Sequence, residues 1–277
     1  MRGLNLAQIH EEPYMLSGLS EIADNYSGFI VDLWGVVHNG QRLFDTVIPC
    51  LQKLKDMDKT VVFLSNAPRV SGVVEEQLTS FGLPREVYTG IITSGDVTLD
   101  YLRRQSASSY YHIGCPEKDS SLLAGIGMNP ATQMFDAEII IASNFDVTKP
   151  VIEDYYKDFD RAIANEIPML CANPDLLVYR GDTKFLCAGT LAVEYVKRGG
   201  NVHFFGKPHA SVYNYLFEKH SSDTWIAIGD AMETDIKGAN NVGIDSILVL
   251  SGIHQEDKDV HNKYDATPTF ISSNLIW

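Results

Sequence analysis

The stretch Phe29-Ile30-Val31-Asp32-Leu33-Trp34-Gly35-Val36 decides the fold, because an apolar run of strand type ends there in an acidic residue and a turn. Two other apolar runs, at residues 60–64 and 225–228, are also followed directly by polar residues. These are Ser65-Asn66 after the first run and Gly229-Asp230 after the second. Because parallel strands of an α/β sheet end at one edge, we expect these polar residues to line one crevice.

Strand and helix patterns alternate along the whole chain, which predicts an α/β fold. A further motif, Lys207-Pro208, follows Ser65-Asn66 after about 140 residues. That is too long for a loop, since structureless connections above about 15 residues are uncommon in compact domains. We therefore expect a core made of residues 1–103 and 204–277, with a smaller α/β domain inserted at residues 104–203.

Local patterns give further expectations. Apolar residues at helical spacing predict a leading helix within residues 1–27 and a long amphipathic helix at residues 148–165. Pro208 fits the first position of another helix. The chain after Gly252 is polar apart from one late apolar patch, Phe270-Ile271, and is expected to form a tail.

Composition excludes several classes of protein. Of the 277 residues, 45% are hydrophobic and 21% are charged, as in a packed soluble protein. The formal net charge of −14 argues against binding to nucleic acid or to an anionic membrane, because both require a cationic face. Residues 1–14 lack the apolar segment of a signal peptide, and no stretch approaches 18 apolar residues, so we expect a cytoplasmic protein. The cysteines, expected to be reduced and buried, are Cys50, Cys115, Cys171 and Cys187.

The order and types of these motifs resemble the haloacid dehalogenase-like (HAD) phosphatase superfamily, over roughly residues 28–252. Within it the chain is most similar to class IIA, whose members carry a large α/β cap between the second and third motifs. The resemblance implies a Rossmann-like doubly wound parallel-sheet core and a cap that closes over small substrates. It also implies a Mg²⁺-dependent phosphohydrolase acting on a small phosphorylated metabolite, a sugar phosphate being one candidate. Whether the chain forms a homodimer is left open.

The carboxylates are the candidate catalytic and metal-binding groups. Asp32 is the candidate nucleophile, because a carboxylate can attack phosphorus and form an aspartyl phosphate. Asp230 would hold Mg²⁺ together with Asp32, since this ion prefers hard oxygen ligands. The resemblance adds the main-chain carbonyl of Trp34 as a ligand. Asp235 would hold either Lys207 or a metal-bound water.

The remaining candidates would bind the substrate. Ser65 and Asn66 would donate hydrogen bonds to the phosphoryl oxygens, and Lys207 would neutralise them and the aspartyl phosphate. In the inserted domain, Asn173 and Asp175 match the cap signature of the resembling class and are candidate substrate contacts. An Asn-Pro-Asp sequence is also common in plain turns, and that alternative stays open.

Trp34 departs from the resembling family, which usually has an aspartate at this position to protonate the leaving oxygen and then activate water. Tryptophan offers an N–H donor and can do neither. Either the substrate has a good leaving group, or His38 or Glu233 replaces the acid, or turnover is vestigial. The alternative functions are therefore a catalytically weakened phosphometabolite-binding protein and a phosphotransferase that uses an acceptor alcohol.

Overall fold

Most apolar runs of the sequence are strands in the computed structural model, which describes residues 13–146, 148–180, 183–251 and 265–277. The strands are β1 (Tyr14–Leu16), β2 (Gly28–Val31), β3 (Thr60–Ser65), β4 (Gly90–Thr93), β5 (Ser109–Ile113), β6 (Asn129–Pro130), β7 (Ile139–Ala142), β8 (Met169–Cys171), β9 (Leu177–Arg180), β10 (Thr183–Leu186), β11 (Val202–Phe204), β12 (Trp225–Gly229), β13 (Asp245–Val249) and β14 (Phe270–Ser272). The α-helices are α1 (Val47–Asp56), α2 (Ser71–Ser80), α3 (Ser94–Leu102), α4 (Ser120–Leu123), α5 (Tyr156–Ala164), α6 (Ala188–Lys197), α7 (Ala210–Lys219) and α8 (Lys237–Val242).

The described residues divide into two compact units. The first contains residues 13–65, 75–91, 213–251 and 265–277, and the second contains residues 66–74, 92–146, 148–180 and 183–212. The boundaries expected from the sequence, with an inserted domain at 104–203 between core segments 1–103 and 204–277, remain a prediction.

The sheet of the first unit has the strand order β1-β14-β13-β12-β2-β3-β4. Every neighbouring pair from β1 to β3 is parallel. The chain runs outward from β2 to β3 and β4 in one direction, and from β12 to β13 and β14 in the other. The boundary between β2 and β12 is therefore the topological switch point, where open α/β sheets bind their ligands.

Buried apolar residues hold α1 in the first unit. Val47, Leu51 and Leu54 recur at helical spacing and are fully buried. Lys53 and Lys55 lie in the last turn of this helix, where a positive charge is favourable beside the carbonyl end of the helix dipole.

The second unit has its own parallel sheet, with the order β11-β8-β7-β5-β6, and an antiparallel hairpin of β9 and β10. Its core contains three fully buried aromatic rings from Tyr155, Phe159 and Tyr195. Their centroids lie 5.7 Å apart for the first pair and 5.1 Å apart for the second, at the separations preferred by packed aromatic rings. The predicted α/β class with parallel sheets is thus confirmed.

The predicted leading helix is wrong for residues 13–27, and residues 1–12 lie outside the described part. Tyr14–Leu16 is instead strand β1, followed by two 3-10 turns at Leu19–Glu21 and Ala23–Asn25. Strand β1 pairs with β14, which belongs to the segment expected to be a polar tail; of that tail, residues 252–264 are not described. Because β1 and β14 are far apart in the sequence, no local pattern predicts that they pair.

Two helix starts were also placed too early. Within residues 148–165, a 3-10 turn at Ile152–Tyr155 precedes α5. Pro150 disfavours helical geometry at Lys149, which is one reason why the helix does not begin at Thr148. Thr148 donates its backbone N–H and its hydroxyl to Asp146 Oδ1, in a turn that competes with a helix. Helix α7 begins at Ala210, so Pro208 does not occupy its first position.

Candidate active site

Three carboxylates converge at the switch point of the first unit. Asp32 follows β2 and Asp230 follows β12, and the register pairs Val31 with Ile228, so the two strands end side by side. Asp235 lies in the π-helical turn that follows. All three residues are buried, and each offers one carboxylate oxygen within 4.8 Å of the others. The first unit thus brings together three of the residues predicted from the sequence.

Gly35 makes room for this cluster. Its φ of +86° lies in the left-handed region, where a side chain is strained. A Cβ built on it would lie 2.6 Å from Asp230 Cγ and overlap the carboxylate. Two bonds hold the turn: the Gly35 N–H donates to the His38 carbonyl at 2.9 Å, and the Ser251 hydroxyl donates to the Gly35 carbonyl at 3.1 Å. A glycine is therefore required here for both backbone conformation and space.

The turn after β12 holds the third carboxylate. The Ala231 N–H donates to Asp235 Oδ2 at 3.2 Å, and the Asp235 N–H donates to the Ala231 carbonyl at 3.0 Å. A side chain on Gly229 would overlap Asp235, so this glycine allows the carboxylate to lie against the strand end. Glu233, in the same turn, is exposed.

The chemistry of the cluster fits a hard divalent cation. Three carboxylates at such short separations repel one another unless positive charge lies among them. Their donors are all oxygens, which suits Mg²⁺ better than a softer metal. The backbone bridge between positions 34 and 38 uses the carbonyl of Leu33 and the N–H of Gly35, so the Trp34 carbonyl takes no part in it.

The Trp34 side chain is held in place by its neighbours in the same turn. Its ring meets that of His38 edge-on, with centroids 5.5 Å apart and planes at 81°. The Gly40 N–H donates to His38 Nδ1 at 3.0 Å, so the neutral ring carries its proton on Nε2. An imidazolium has protons on both nitrogens and would lose this bond. That His38 or Glu233 replaces the missing acid stays a prediction.

In the second unit, the side chain of Asn66 is engaged by its neighbours. Asn66 Oδ1 accepts from the Lys207 N–H at 2.7 Å. The Asn66 amide donates to the Lys207 carbonyl at 3.0 Å and to Asp175 Oδ1 at 2.7 Å. Both amide protons are thus used, which favours a positioning role for this side chain. The predicted bonds from Ser65 and Asn66 to a phosphoryl group stay predictions.

The turn that carries Asn173 and Asp175 contacts the first residues of helix α6. Asn173 Oδ1 accepts from the Asp175 N–H at 3.2 Å, as in an Asx-turn, and this turn presents Asp175 to Asn66. The Gly189 N–H donates to the Asp175 carbonyl at 3.1 Å, and the Thr190 hydroxyl donates to the Leu176 carbonyl at 2.7 Å. The structure therefore joins Asn173 and Asp175 to Asn66 and to the backbone of buried Lys207 within one unit.

Sequence reasoning missed one buried polar cluster of the second unit. Asp119 accepts bonds from the Ser143 hydroxyl at 2.7 Å, from the Asn144 amide at 2.8 Å and from the Cys115 N–H at 2.9 Å. The Ser143 hydroxyl also bonds His112 Nε2 at 2.8 Å. The available signal was the same as for Ser65-Asn66, since Ser143-Asn144 follows a buried strand directly. These groups hydrogen-bond to one another, which holds together the ends of β5 and β7.

Two family models match the chain, one described as haloacid dehalogenase-like hydrolase over residues 29–129 and one as HAD-hydrolase-like over residues 204–277. A solved haloacid dehalogenase-like hydrolase from Brucella suis is 31% identical, with a TM-score of 0.81, over 95% of this chain and 100% of that one. The chain belongs to the haloacid dehalogenase-like hydrolase family.

Relatives of this HAD protein include an acid sugar phosphatase and a 5'-nucleotidase. The acid sugar phosphatase of Staphylococcus aureus is 25% identical over 90% of this chain and 95% of that protein. The 5'-nucleotidase YutF of Bacillus subtilis is 23% identical over 84% of this chain and 90% of its own length. The resemblance to class IIA and the prediction of a HAD-type phosphatase are confirmed. Among the described residues of this HAD chain, no helix has the length and apolar character that crossing a membrane requires.

Proposed function

We propose that this protein is a Mg²⁺-dependent phosphohydrolase that acts on a small phosphorylated metabolite through an aspartyl phosphate on Asp32. The observation that carries the proposal is the buried cluster of Asp32, Asp230 and Asp235 at the switch point of the first sheet. One carboxylate there is a nucleophile directly after a strand, and the others are hard ligands beside it.

In the proposed first step, an Asp32 oxygen forms a bond to phosphorus while the bond from phosphorus to the leaving oxygen breaks. The leaving oxygen takes the bonding electron pair. Water then attacks the aspartyl phosphate, releasing inorganic phosphate and the free carboxylate. Dividing one displacement into two in this way is the general advantage of covalent catalysis.

Asp230, Asp235, the second oxygen of Asp32 and the Trp34 carbonyl would hold Mg²⁺. When bound, this ion supplies positive charge that offsets the carboxylates and the phosphoryl group. By resemblance to the family, Ser65 would donate to the phosphoryl oxygens and Lys207 would neutralise them. Asn66 would hold the Lys207 backbone in place, as its hydrogen bonds support.

A sugar phosphate is our candidate substrate, supported by the name of the Staphylococcus aureus relative. The predicted cap at residues 104–203, with Asn173 and Asp175 as contacts, would select such a small molecule. That the protein is cytoplasmic stays an expectation from the sequence. A homodimer stays an open expectation.

A catalytically weakened phosphometabolite-binding protein is the second candidate, and one observation favours it. Trp34 supplies no general acid or base, whose contribution is about 10²–10⁴-fold in rate. The presence of Asp32 beside Asp230 argues for retained chemistry, since a protein that only binds needs no nucleophile there. Phosphotransfer to an acceptor alcohol would use the same first step.

The test is a panel of sugar phosphates, nucleotides and aryl phosphates, assayed for phosphate release with Mg²⁺ and after exhaustive chelation. We expect turnover that chelation abolishes and Mg²⁺ restores. Tight binding of phosphomonoesters without release of phosphate would support the second candidate, the phosphometabolite-binding protein. Release that persists without metal would refute the role given to the carboxylates.

A further inference from the structure

Trp34 lies close to the reaction centre by chain geometry alone. The bare Cα of Gly35 lies against the Asp230 carboxylate, with 2.6 Å between a built Cβ and Asp230 Cγ. Because neighbouring Cα atoms are about 3.8 Å apart, the Trp34 Cα lies within roughly 8 Å of that carboxylate carbon. The indole is therefore long enough to reach a group that leaves from phosphorus.

The indole is also fixed in orientation and only partly covered. Gly40, with a φ of +84°, lies so close that a Cβ there would be 2.7 Å from Trp34 Cζ3. The His38 ring packs edge-on against Trp34 and is itself packed against Phe81, with centroids 5.4 Å apart. Trp34 nevertheless keeps 37% of its surface exposed. An aromatic ring held in this way loses little freedom when a ligand packs on it, so it is a preorganised contact surface.

An indole at this place suits one kind of leaving group. It offers an apolar ring face and an N–H donor, but no acid to protonate the departing oxygen. The substrate must then supply a weakly basic leaving oxygen, together with a flat ring close to that oxygen. Both properties are found where the phosphate is attached directly to a ring, as in aryl phosphates and in cyclic sugars phosphorylated on the anomeric carbon. A CH₂ group between the ring and the oxygen makes the oxygen more basic and moves the ring away from phosphorus.

We propose that Trp34 is a specificity-determining residue that selects phosphomonoesters whose bridging oxygen is attached directly to a ring. This inference rests on the proposed function and narrows its substrate class. In the step concerned, the Asp32 oxygen bonds to phosphorus and the bond between phosphorus and the bridging oxygen breaks. The electron pair stays on the bridging oxygen, which departs with the ring as an anion and takes a proton from water afterwards.

Matched substrate pairs test the proposal. Phenyl phosphate differs from benzyl phosphate, and glucose 1-phosphate from glucose 6-phosphate, mainly in whether the phosphate is attached to the ring. We expect the wild-type kcat/KM to be at least about tenfold higher for the ring-attached member of one pair or both. The pair that shows this difference in kcat/KM indicates whether Trp34 selects aryl phosphates or sugar phosphates.

Two variants separate stacking from leaving-group chemistry. Trp34→Leu removes the aromatic face, and Gly40→Ala displaces the indole without removing it. In both we expect the KM advantage of the ring-attached ester to fall about tenfold, while the ratio of kcat values within each pair persists. Gly199→Ala is the matched control, since its φ is +96° and no described atom lies within 4 Å of its built Cβ, so it imposes similar backbone strain alone.

The outcomes distinguish this inference from the proposed function. Equal kcat/KM values within both pairs, or KM ratios that neither variant changes, would overturn the inference while leaving the phosphohydrolase intact. If no ester is hydrolysed, the proposed function fails. Calorimetric titration of Asp32→Asn with phenyl and benzyl phosphate then decides the inference: tighter binding of phenyl phosphate that Trp34→Leu abolishes supports it, and equal binding refutes it.

Discussion

Replacing Gly35 with alanine tests whether the carboxylate cluster is a metal site. The new Cβ would lie 2.6 Å from Asp230 Cγ, so the Asp230 carboxylate must rotate away from Asp32 and Asp235. An alanine at a φ of +86° also costs about 1–2 kcal/mol in backbone strain. Displacing a metal ligand should also weaken metal binding. Even changes to residues behind the ligands typically reduce metal affinity by about 10–100-fold.

Gly82→Ala separates the two effects. Gly82 has a φ of +87°, but no described atom lies within 4 Å of its built Cβ. Both variants should lose about 1–2 kcal/mol of folding stability, measured by thermal or denaturant unfolding. In Gly35→Ala alone, the Mg²⁺ concentration for half-maximal activity should rise by at least about 10-fold. Equal Mg²⁺ requirements in the two variants would refute the assignment of Asp230 as a ligand.

Four other expectations concern the nucleophile, the metal, the missing acid and the cysteines. Asp32→Asn should abolish turnover with an unchanged melting curve, because the amide has no anionic oxygen for attack; retained turnover would remove Asp32 from the mechanism. Zn²⁺ should restore chelated enzyme poorly compared with Mg²⁺, as all-oxygen ligands suit the harder ion, and equal restoration would argue against that ligand set. Trp34→Asp should raise turnover of alkyl phosphates by up to about 10²-fold, with a smaller gain for aryl phosphates, and a uniform change would mean that no proton is delivered there. Burial raises the pKa of Cys50 and of Cys171 to about 12, so at pH 8 the native protein should resist iodoacetamide at both sites, whereas unfolded protein should react; peptide mass mapping reads the outcome.

The sequence was sufficient to predict that Asp32 and Asp230 converge, because each of these two acids follows an apolar strand directly. Asp32 and Asp230 need only the rule that parallel strands end at one edge. Their exact neighbours were not predictable: β2 and β12 are adjacent in the sheet although about 200 residues separate them in the chain. Such pairings depend on tertiary packing, and no local pattern encodes them.

Side-chain partners were the least predictable feature. The hydrogen-bond partners of the Asn66 amide, Lys207 and Asp175, lie more than 100 residues away in sequence, so no local pattern could predict them. Similarly, Gly40 looks like an ordinary turn residue until the structure places it under the Trp34 ring. A single sequence identifies residue types that suit a chemistry, but their hydrogen-bond partners depend on which loops meet.

Detection of a covalent phosphoryl group on Asp32 tests the central claim most directly. Because Trp34 cannot activate water, hydrolysis of the aspartyl phosphate should be slow compared with its formation from an aryl phosphate. Rapid acid quenching of the Mg²⁺-loaded enzyme during turnover, followed by borohydride reduction and peptide mass spectrometry, should reveal homoserine at position 32 in place of aspartate. The account is contradicted if the aryl alcohol is released in a pre-steady-state burst without modification at position 32, or if another carboxylate is reduced instead.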